Sequence, residues 1–215
     1  MLDASIIIPA YNEAASIAEV IRRVANVSKR YEIIVVDDGS GDATAEVAKK
    51  EGAIVIKISN NQGKGFACIA GGKKANTDKI IFIDADLQLN PEEIPKFVSA
   101  LDECDLAIGT RDMKKIPLQR RLSNNLAKML IQSPRGMKFS DALCGFRAVR
   151  KSKFLNMKFE KKRYEFESEM LLIAVENNMT IKEVPVEVSY ESYKGMGIGD
   201  SLKVLMFILK KRLEK

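Results

Sequence analysis

Histidine is absent from all 215 residues. That removes imidazole general acid–base catalysis, Ser-His-Asp triads and every histidine-held metal site. Tryptophan is also absent, only five tyrosines are present, and no stretch interleaves basic with aromatic side chains, so nucleic acid is not an expected partner. The three cysteines, Cys68, Cys104 and Cys144, lie far apart and are odd in number, as in reduced thiols of a cytosolic protein. The longest apolar run, Val204 to Leu209, has six residues, against the ~20 that span a bilayer. Met1-Leu2-Asp3-Ala4 leads straight into a strand-like segment with no cationic leader, and a cytoplasmic protein is the expectation.

What is present is uneven. Residues 1–110 carry 12 Lys and Arg against 17 Asp and Glu, while residues 111–215 carry 23 against 12. An acidic front half suits cations and a basic back half suits anions, such as a phosphate-bearing ligand or an anionic membrane. Short β-rich runs at 5–8, 32–36, 54–58, 80–83 and 106–108 alternate with helical patterns. Ala14, Ile17, Ala18, Ile21, Val24 and Ala25 form one apolar stripe with Asn12 placed as its cap. Further helices are expected over 42–51, 65–74 and from Pro91 onward, giving β-α-β units around a buried, mostly parallel sheet. After residue 110 the alternation stops. A helix over 118–132 combines Leu118, Leu122, Leu126, Met129 and Leu130 with Arg120, Arg121 and Lys128; a loop-rich stretch (133–146) follows. A helix near 165–177, a strand near 180–188 and a helix over 201–213 complete the chain. No linker or repeat interrupts it, so one domain spanning 1–215 is expected, with a regular front half (1–110) and an elaborated back half (111–215).

Ligands of open parallel sheets bind beyond the carboxyl ends of the strands. There the chain places Pro9-Ala10-Tyr11-Asn12-Glu13, then Asp37-Asp38-Gly39-Ser40, then Asn61-Gln62-Gly63-Lys64-Gly65, then Asp84-Ala85-Asp86-Leu87-Gln88, then Gly109-Thr110-Arg111. Two carboxylates at i and i+2 after an apolar strand, with the Gln88 amide beside them, are hard oxygen donors for Mg²⁺ or Mn²⁺ shared with a diphosphate. One carboxylate of Asp37-Asp38 can accept from a nucleobase or ribose, though the same four residues also suit an ordinary turn. Residues 61–65 resemble a phosphate loop only loosely. Neither a Walker motif nor Gly-x-Gly-x-x-Gly is present, which counts against ATPases and dinucleotide oxidoreductases.

Ile-Ile-Ile-Pro-Ala-Tyr-Asn-Glu (6–13), Val-Val-Asp-Asp-Gly-Ser (35–40) and Asp-Ala-Asp-Leu-Gln (84–88), in that order, resemble inverting family-2 glycosyltransferases of the GT-A fold. Ile108-Gly109-Thr110-Arg111, Arg120 with Asn124, and Asp141-Ala-Leu-Cys-Gly-Phe-Arg147 narrow the resemblance to dolichyl-phosphate mannose synthases and related polyprenyl-phosphate enzymes. The resemblance implies a Rossmann-like sheet with helices on both faces and a C-terminal acceptor-binding elaboration. It also implies nucleoside contacts at Pro9, Tyr11, Glu13, Val36 and Asp38, and diphosphate binding through a metal at Asp84, Ala85, Asp86 and Gln88. Asp86 and Gln88 would be direct ligands, and Arg111 and Arg120 would receive the lipid phosphate, with Asn124 where those synthases tend to carry serine. The synthases' arginine and Gly-Glu-Ser-Lys element after the last strand are replaced here by Glu191-Ser-Tyr-Lys194-Gly-Met-Gly197, which leaves GDP- and UDP-sugars both open as donors.

A phosphate acceptor is already anionic and needs cations to place it, whereas a hydroxyl acceptor needs a general base. Arginines in a histidine-free acceptor half favour the phosphate, and Asp141 is the candidate base if one is required; it serves equally as an organiser of the 142–147 loop. A transferase acting on a hydroxyl of a glycan or glycolipid, and an inactive sugar-nucleotide-binding protein, are the alternatives. The terminal helix is apolar nearly all round its middle and ends in Lys210, Lys211, Arg212 and Lys215. With the 118–132 helix it is expected to lie in the headgroup layer on the inner face of an anionic membrane.

Overall fold

A computed structural model describes residues 2–116, 118–131, 139–160, 165–189 and 204–210; the side chains of Gln119, Arg120 and Leu130 are outside that description. Its centre is a seven-stranded sheet in the order β3-β2-β1-β4-β6-β5-β7. The strands are β1 (Ala4–Ala10), β2 (Tyr31–Asp37), β3 (Ile54–Lys57), β4 (Lys79–Phe82), β5 (Leu106–Arg111), β6 (Arg147–Arg150) and β7 (Ile181–Val186). Strands β1 to β4 are parallel, β7 is parallel to β5, and β6 runs antiparallel between β4 and β5. Strand order therefore reverses at β1, whose neighbours are β2 and β4. That is the switch point where such sheets open a crevice.

Both faces of the sheet are covered, which is why the central strands read as unbroken Ile and Val. Alternate residues point opposite ways. Ile6 and Ile8 join Val35, Ile81 and Ile83 on the face packed by α1 (Ile17–Val27) and α4 (Ile94–Ala100). Ile7, Ile34, Val36, Ile80 and Phe82 face α3 (Lys64–Lys74), α6 (Lys151–Leu155) and α7 (Phe166–Glu176). The helix over 204–210 packs there too, through Val204, Phe207 and Ile208. Helix α2 (Thr44–Lys50) stops at Gly52, whose φ of 84° lies in the left-handed region, as its sequence position suggests.

Three local expectations need correction. Asn12 does not cap α1. It turns back at φ 56°, its Oδ1 accepts from the Gly41 N–H at 2.9 Å, and its own N–H donates to Ser40 Oγ. Helix α1 begins at Ile17 instead, with the Glu13 carbonyl accepting the Ile17 N–H at 2.9 Å. The 91–93 segment is a single 3-10 turn before α4. Last, β6 and α6 lie where no element was expected. Four residues, Arg-Ala-Val-Arg, offer too short a period to read, and the pairing of β6 comes entirely from its neighbours β4 and β5.

Strand β6 is held from below by aromatic packing. Phe97 of α4 and Phe146 stack at 4.1 Å and 15°, both fully buried. Phe97→Ala should cost about 3–5 kcal/mol. A urea titration should show the midpoint falling with an unchanged slope; a loss below about 1 kcal/mol would mean that the stack contributes little.

Candidate active site

The crevice is built from the strand ends singled out above. From β2, Asp37 and Asp38 enter buried. Asp38 anchors the next loop: its Oδ1 accepts the Gln62 N–H at 2.9 Å and its Oδ2 the Gly63 N–H at 2.7 Å. Gly63 adopts φ 98°, which a Cβ would oppose, so the chain can swing from that contact into α3. Asp37 Oδ1 accepts the Ser40 N–H at 2.9 Å, while its Oδ2 is buried and has no hydrogen-bond partner among the described residues. A buried carboxylate oxygen left open costs free energy, which makes it the natural acceptor for a ligand donor.

Helix α3 then delivers Lys64 to the end of β4. Its Nζ lies 2.6 Å from Asp84 Oδ1 and 2.6 Å from Glu167 Oε1 of α7. Burial works against the ammonium, but the two carboxylates outweigh it and hold the Lys64 pKa well above its usual value. Asp86, half-buried, accepts the Gln88 N–H on Oδ1 at 3.1 Å. Loss of hydration, and then the charge of Asp84, push the Asp86 carboxyl up to about 6. Two carboxylates side by side, with the buried Gln88 next to them, form an all-oxygen donor set that fits a hard divalent cation. Among the described residues no three carboxylate or thiolate groups gather into a closed cage.

On the far side of β6, Arg111 at the end of β5 donates through Nε to Asp141 Oδ2 at 2.6 Å and through Nη2 to Oδ1 at 3.0 Å. The fully buried Asp141 also accepts from the N–H groups of Arg111 and Leu143. Both its oxygens are thus engaged, which matches the loop-organising role more closely than that of a base. Asn124 of α5 (Leu118–Leu130) is buried and staples the same loop, its Oδ1 accepting the Ala142 N–H at 2.9 Å.

The other expected residues sort plainly. Tyr11 is exposed at the mouth, and the Glu13 carboxylate accepts the Ser16 hydroxyl at 2.7 Å. Pro9, Val36 and Ala85 are buried, and the Val36 side chain points into the core. Arg120 lies on α5, but its side chain, like all of Lys194, is outside the described residues. Glu167, Gly145 and Arg147 went unnoticed as site residues. Glu167 had one usable signal: three glutamates, at 165, 167 and 169, open an otherwise apolar helix. The cysteines are buried, and burial pushes Cys68 well up and Cys144 to about 12, so neither supplies a thiolate.

A doubly covered, mostly parallel sheet with acidic strand ends at its switch point defines a class: open α/β proteins whose ligands bind at those strand ends. Residues 5–157 match the sequence profile of glycosyl transferase family 2, and the chain belongs to that family; it is a glycosyltransferase. An uncharacterised protein of Methanocaldococcus jannaschii is 32% identical over 97% of this chain and 91% of its own length. Undecaprenyl-phosphate 4-deoxy-4-formamido-L-arabinose transferases of Edwardsiella ictaluri and Salmonella choleraesuis are each 38% identical, over 69% and 68% of this chain. The match spans about half of those transferases, 49% and 48% of their lengths. Among solved structures, glucosyl-3-phosphoglycerate synthase from Mycobacterium tuberculosis, in complex with Mn²⁺, UDP-glucose and phosphoglyceric acid, superposes with a TM-score of 0.81 at 22% identity. That superposition covers 98% of this chain and 79% of the synthase. The fold is GT-A.

The raised pKa of Asp86 predicts a stability effect with a definite sign. A carboxyl whose folded pKa lies above its unfolded value favours the fold below the unfolded pKa, and that contribution is lost as pH rises through about 6. Metal-free Asp86→Asn should therefore melt at a higher temperature than the unsubstituted protein near pH 8, with the difference closing by about pH 4. Equal melting temperatures at both pH values would mean that Asp86 carries its charge without penalty.

Proposed function

We propose that this chain transfers a sugar from a GDP- or UDP-sugar to a polyprenyl phosphate of the dolichyl type, with inversion and with Mg²⁺ or Mn²⁺ bound by Asp84, Asp86 and Gln88. The observation that carries the acceptor half is Arg111. It is a guanidinium at a strand end, next along the chain to α5, whose leucines face outward. The undecaprenyl-phosphate specificity in the names of two relatives supports the same reading.

Each residue has a task in an in-line displacement, in which an acceptor oxygen attacks the anomeric carbon opposite the departing nucleoside diphosphate. Asp37, with its open oxygen, and Tyr11 at the mouth receive the nucleoside, alongside the backbone of Pro9, Val36 and Asp38 and the carboxylate of Glu13. Asp84, Asp86 and Gln88 hold the cation, which when bound stabilises charge growing on the diphosphate. Lys64, beside Asp84, adds an ammonium on the same side. Arg111, joined by Arg120, places the acceptor phosphate, whose charge makes a general base unnecessary. Asp141 is the ion-pair partner that sets where the Arg111 guanidinium rests.

The experiment is transfer of radiolabel from UDP- and GDP-sugars into organic-extractable lipid, with undecaprenyl and dolichyl phosphate as acceptors. Asp86→Ala should lower transfer by about 100-fold or more, and excess EDTA should stop it. Arg111→Ala should weaken acceptor use by roughly 1.5–3 kcal/mol and leave nucleotide affinity near its starting value. Transfer to a glycan or small hydroxyl acceptor alone would replace the lipid-phosphate reading. Nucleotide binding without any transfer would point to the inactive sugar-nucleotide-binding protein.

The membrane part of the reading rests on two helices. Leu118, Leu122, Leu126 and Met129 are all exposed on α5, while Asn124 and Ala127 face the fold. On the 204–210 helix, Met206 and Leu209 are exposed and Lys210 follows them. An outward leucine row beside the exposed Arg121 suits the headgroup layer of an anionic inner leaflet, to which each nearby Lys or Arg adds about 1 kcal/mol. Among the described residues no helix is long and apolar enough to cross a membrane. The protein should therefore co-sediment with phosphatidylglycerol vesicles at low salt and be partly released at high salt. Leu118→Ser with Leu122→Ser should abolish that sedimentation without changing the melting temperature, because both side chains already face out. Protein left in the supernatant at low salt would remove the membrane from the proposal.

A further inference from the structure

Residues 141–147 touch both sides of the site. At their start, Asp141 grips Arg111 through Nε and Nη2. At position 145 the backbone passes so close to the donor side that a Cβ on Gly145 would stand 2.5 Å from Asp84 Oδ2 and 3.1 Å from Lys64 Nζ. At their end, Arg147 is wholly buried and folds back, donating through Nε to the Cys144 carbonyl at 3.0 Å and through Nη2 to the Ala142 carbonyl at 2.6 Å. Ala142, Cys144 and Phe146 are buried as well. Such a segment moves as a piece, because close-packed surroundings transmit a displacement rather than absorb it.

Asp84 therefore has one oxygen on Lys64 and the other against Gly145. A cation or diphosphate that turns this carboxylate meets the strap directly. We propose that the 141–147 strap lets the donor side control Arg111: Asp141 is a positioning residue that holds the guanidinium back while the donor side is empty, and a ligand at Asp84 displaces Gly145 and loosens that grip. The inference rests on the proposed reading of Asp84 as a donor-side residue and Arg111 as the acceptor cation. It makes donor and acceptor binding cooperative, and linkage requires each to strengthen the other by the same factor.

The test is calorimetric titration of the full chain with geranyl phosphate, first alone and then with Mg²⁺ and whichever of UDP and GDP binds. In the unsubstituted protein the loaded site should bind geranyl phosphate about fivefold or more tighter than the empty one. Asp141→Asn keeps the shape and removes the ion pair. Its empty site should bind as tightly as the loaded unsubstituted protein, and the ratio should fall to about one. Gly145→Ala perturbs the other end and should also lose the gain on loading; it carries the test alone if Asp141→Asn does not fold. An undiminished ratio in the folded variants, or independent binding of the two ligands to the unsubstituted protein, overturns the strap and leaves the proposed function standing. A protein that binds nucleotide and cation but no geranyl phosphate overturns the acceptor reading itself, and the strap with it.

Discussion

The ammonium of Lys64, shared between Asp84 and Glu167, is the contact on which the rest of the site depends. Partial burial works against an ammonium, and two carboxylates facing each other repel. Set together, each answers the other's cost. The contact also explains the loop before it. Asp38 fixes Gly63 through its backbone N–H, and Gly63 points α3 so that its first residue reaches β4. A line of polar contacts thus runs from β2 through the start of α3 to β4 and across to α7, joining parts of the chain more than a hundred residues apart. Removing Lys64 would leave the buried Glu167 and the half-buried Asp84 without their shared cation, which costs more than the contact itself contributes.

The charge asymmetry between the two halves acquires a structural meaning here. Among the described residues, basic side chains of the back half are put to different uses. Arg147 is consumed inside the fold by carbonyl groups, Arg111 is held by Asp141, and Arg121 stays outside near the outward leucines. One guanidinium shapes the loop, another is fixed at a strand end by a carboxylate, and a third faces the surroundings. The same residue type therefore does three kinds of work, and only burial and partners tell them apart.

Much of the fold was legible because buried parallel strands leave an unambiguous trace: runs such as Ile6-Ile7-Ile8 and Ile33-Ile34-Val35-Val36, each followed by polar residues. The candidate site was legible for the same reason, since strand ends can be located before any contact is known. What stayed hidden depends on contacts across the sheet. Strand β6 has four residues and takes its place from two neighbours. Asn12 looked like a cap, yet a backbone turn at positive φ redirects it to the 40–41 loop. The leucines of α5 carry a helical period, and a period cannot say which face meets the core. Here Asn124 and Ala127 go in and the leucines go out. Glu167 cannot be placed without α7 laid against α3, because three glutamates at a helix start do not say which of them turns inward.

Asp86 shows why the site is built against local stability. Its carboxyl is pushed up to about 6 by lost hydration and by Asp84, so near neutral pH it is charged where a neutral side chain would cost less. Lys64 and the Gln88 N–H relieve it only in part, because Lys64 is committed to Asp84 and Glu167. That leaves one carboxylate of the pair directly paired and the other without a cation of its own. A positive charge from solvent, whether a proton or a cation, would complete the balance without displacing the lysine that holds the loops together. Such an arrangement keeps the scaffold intact whether or not that charge is present.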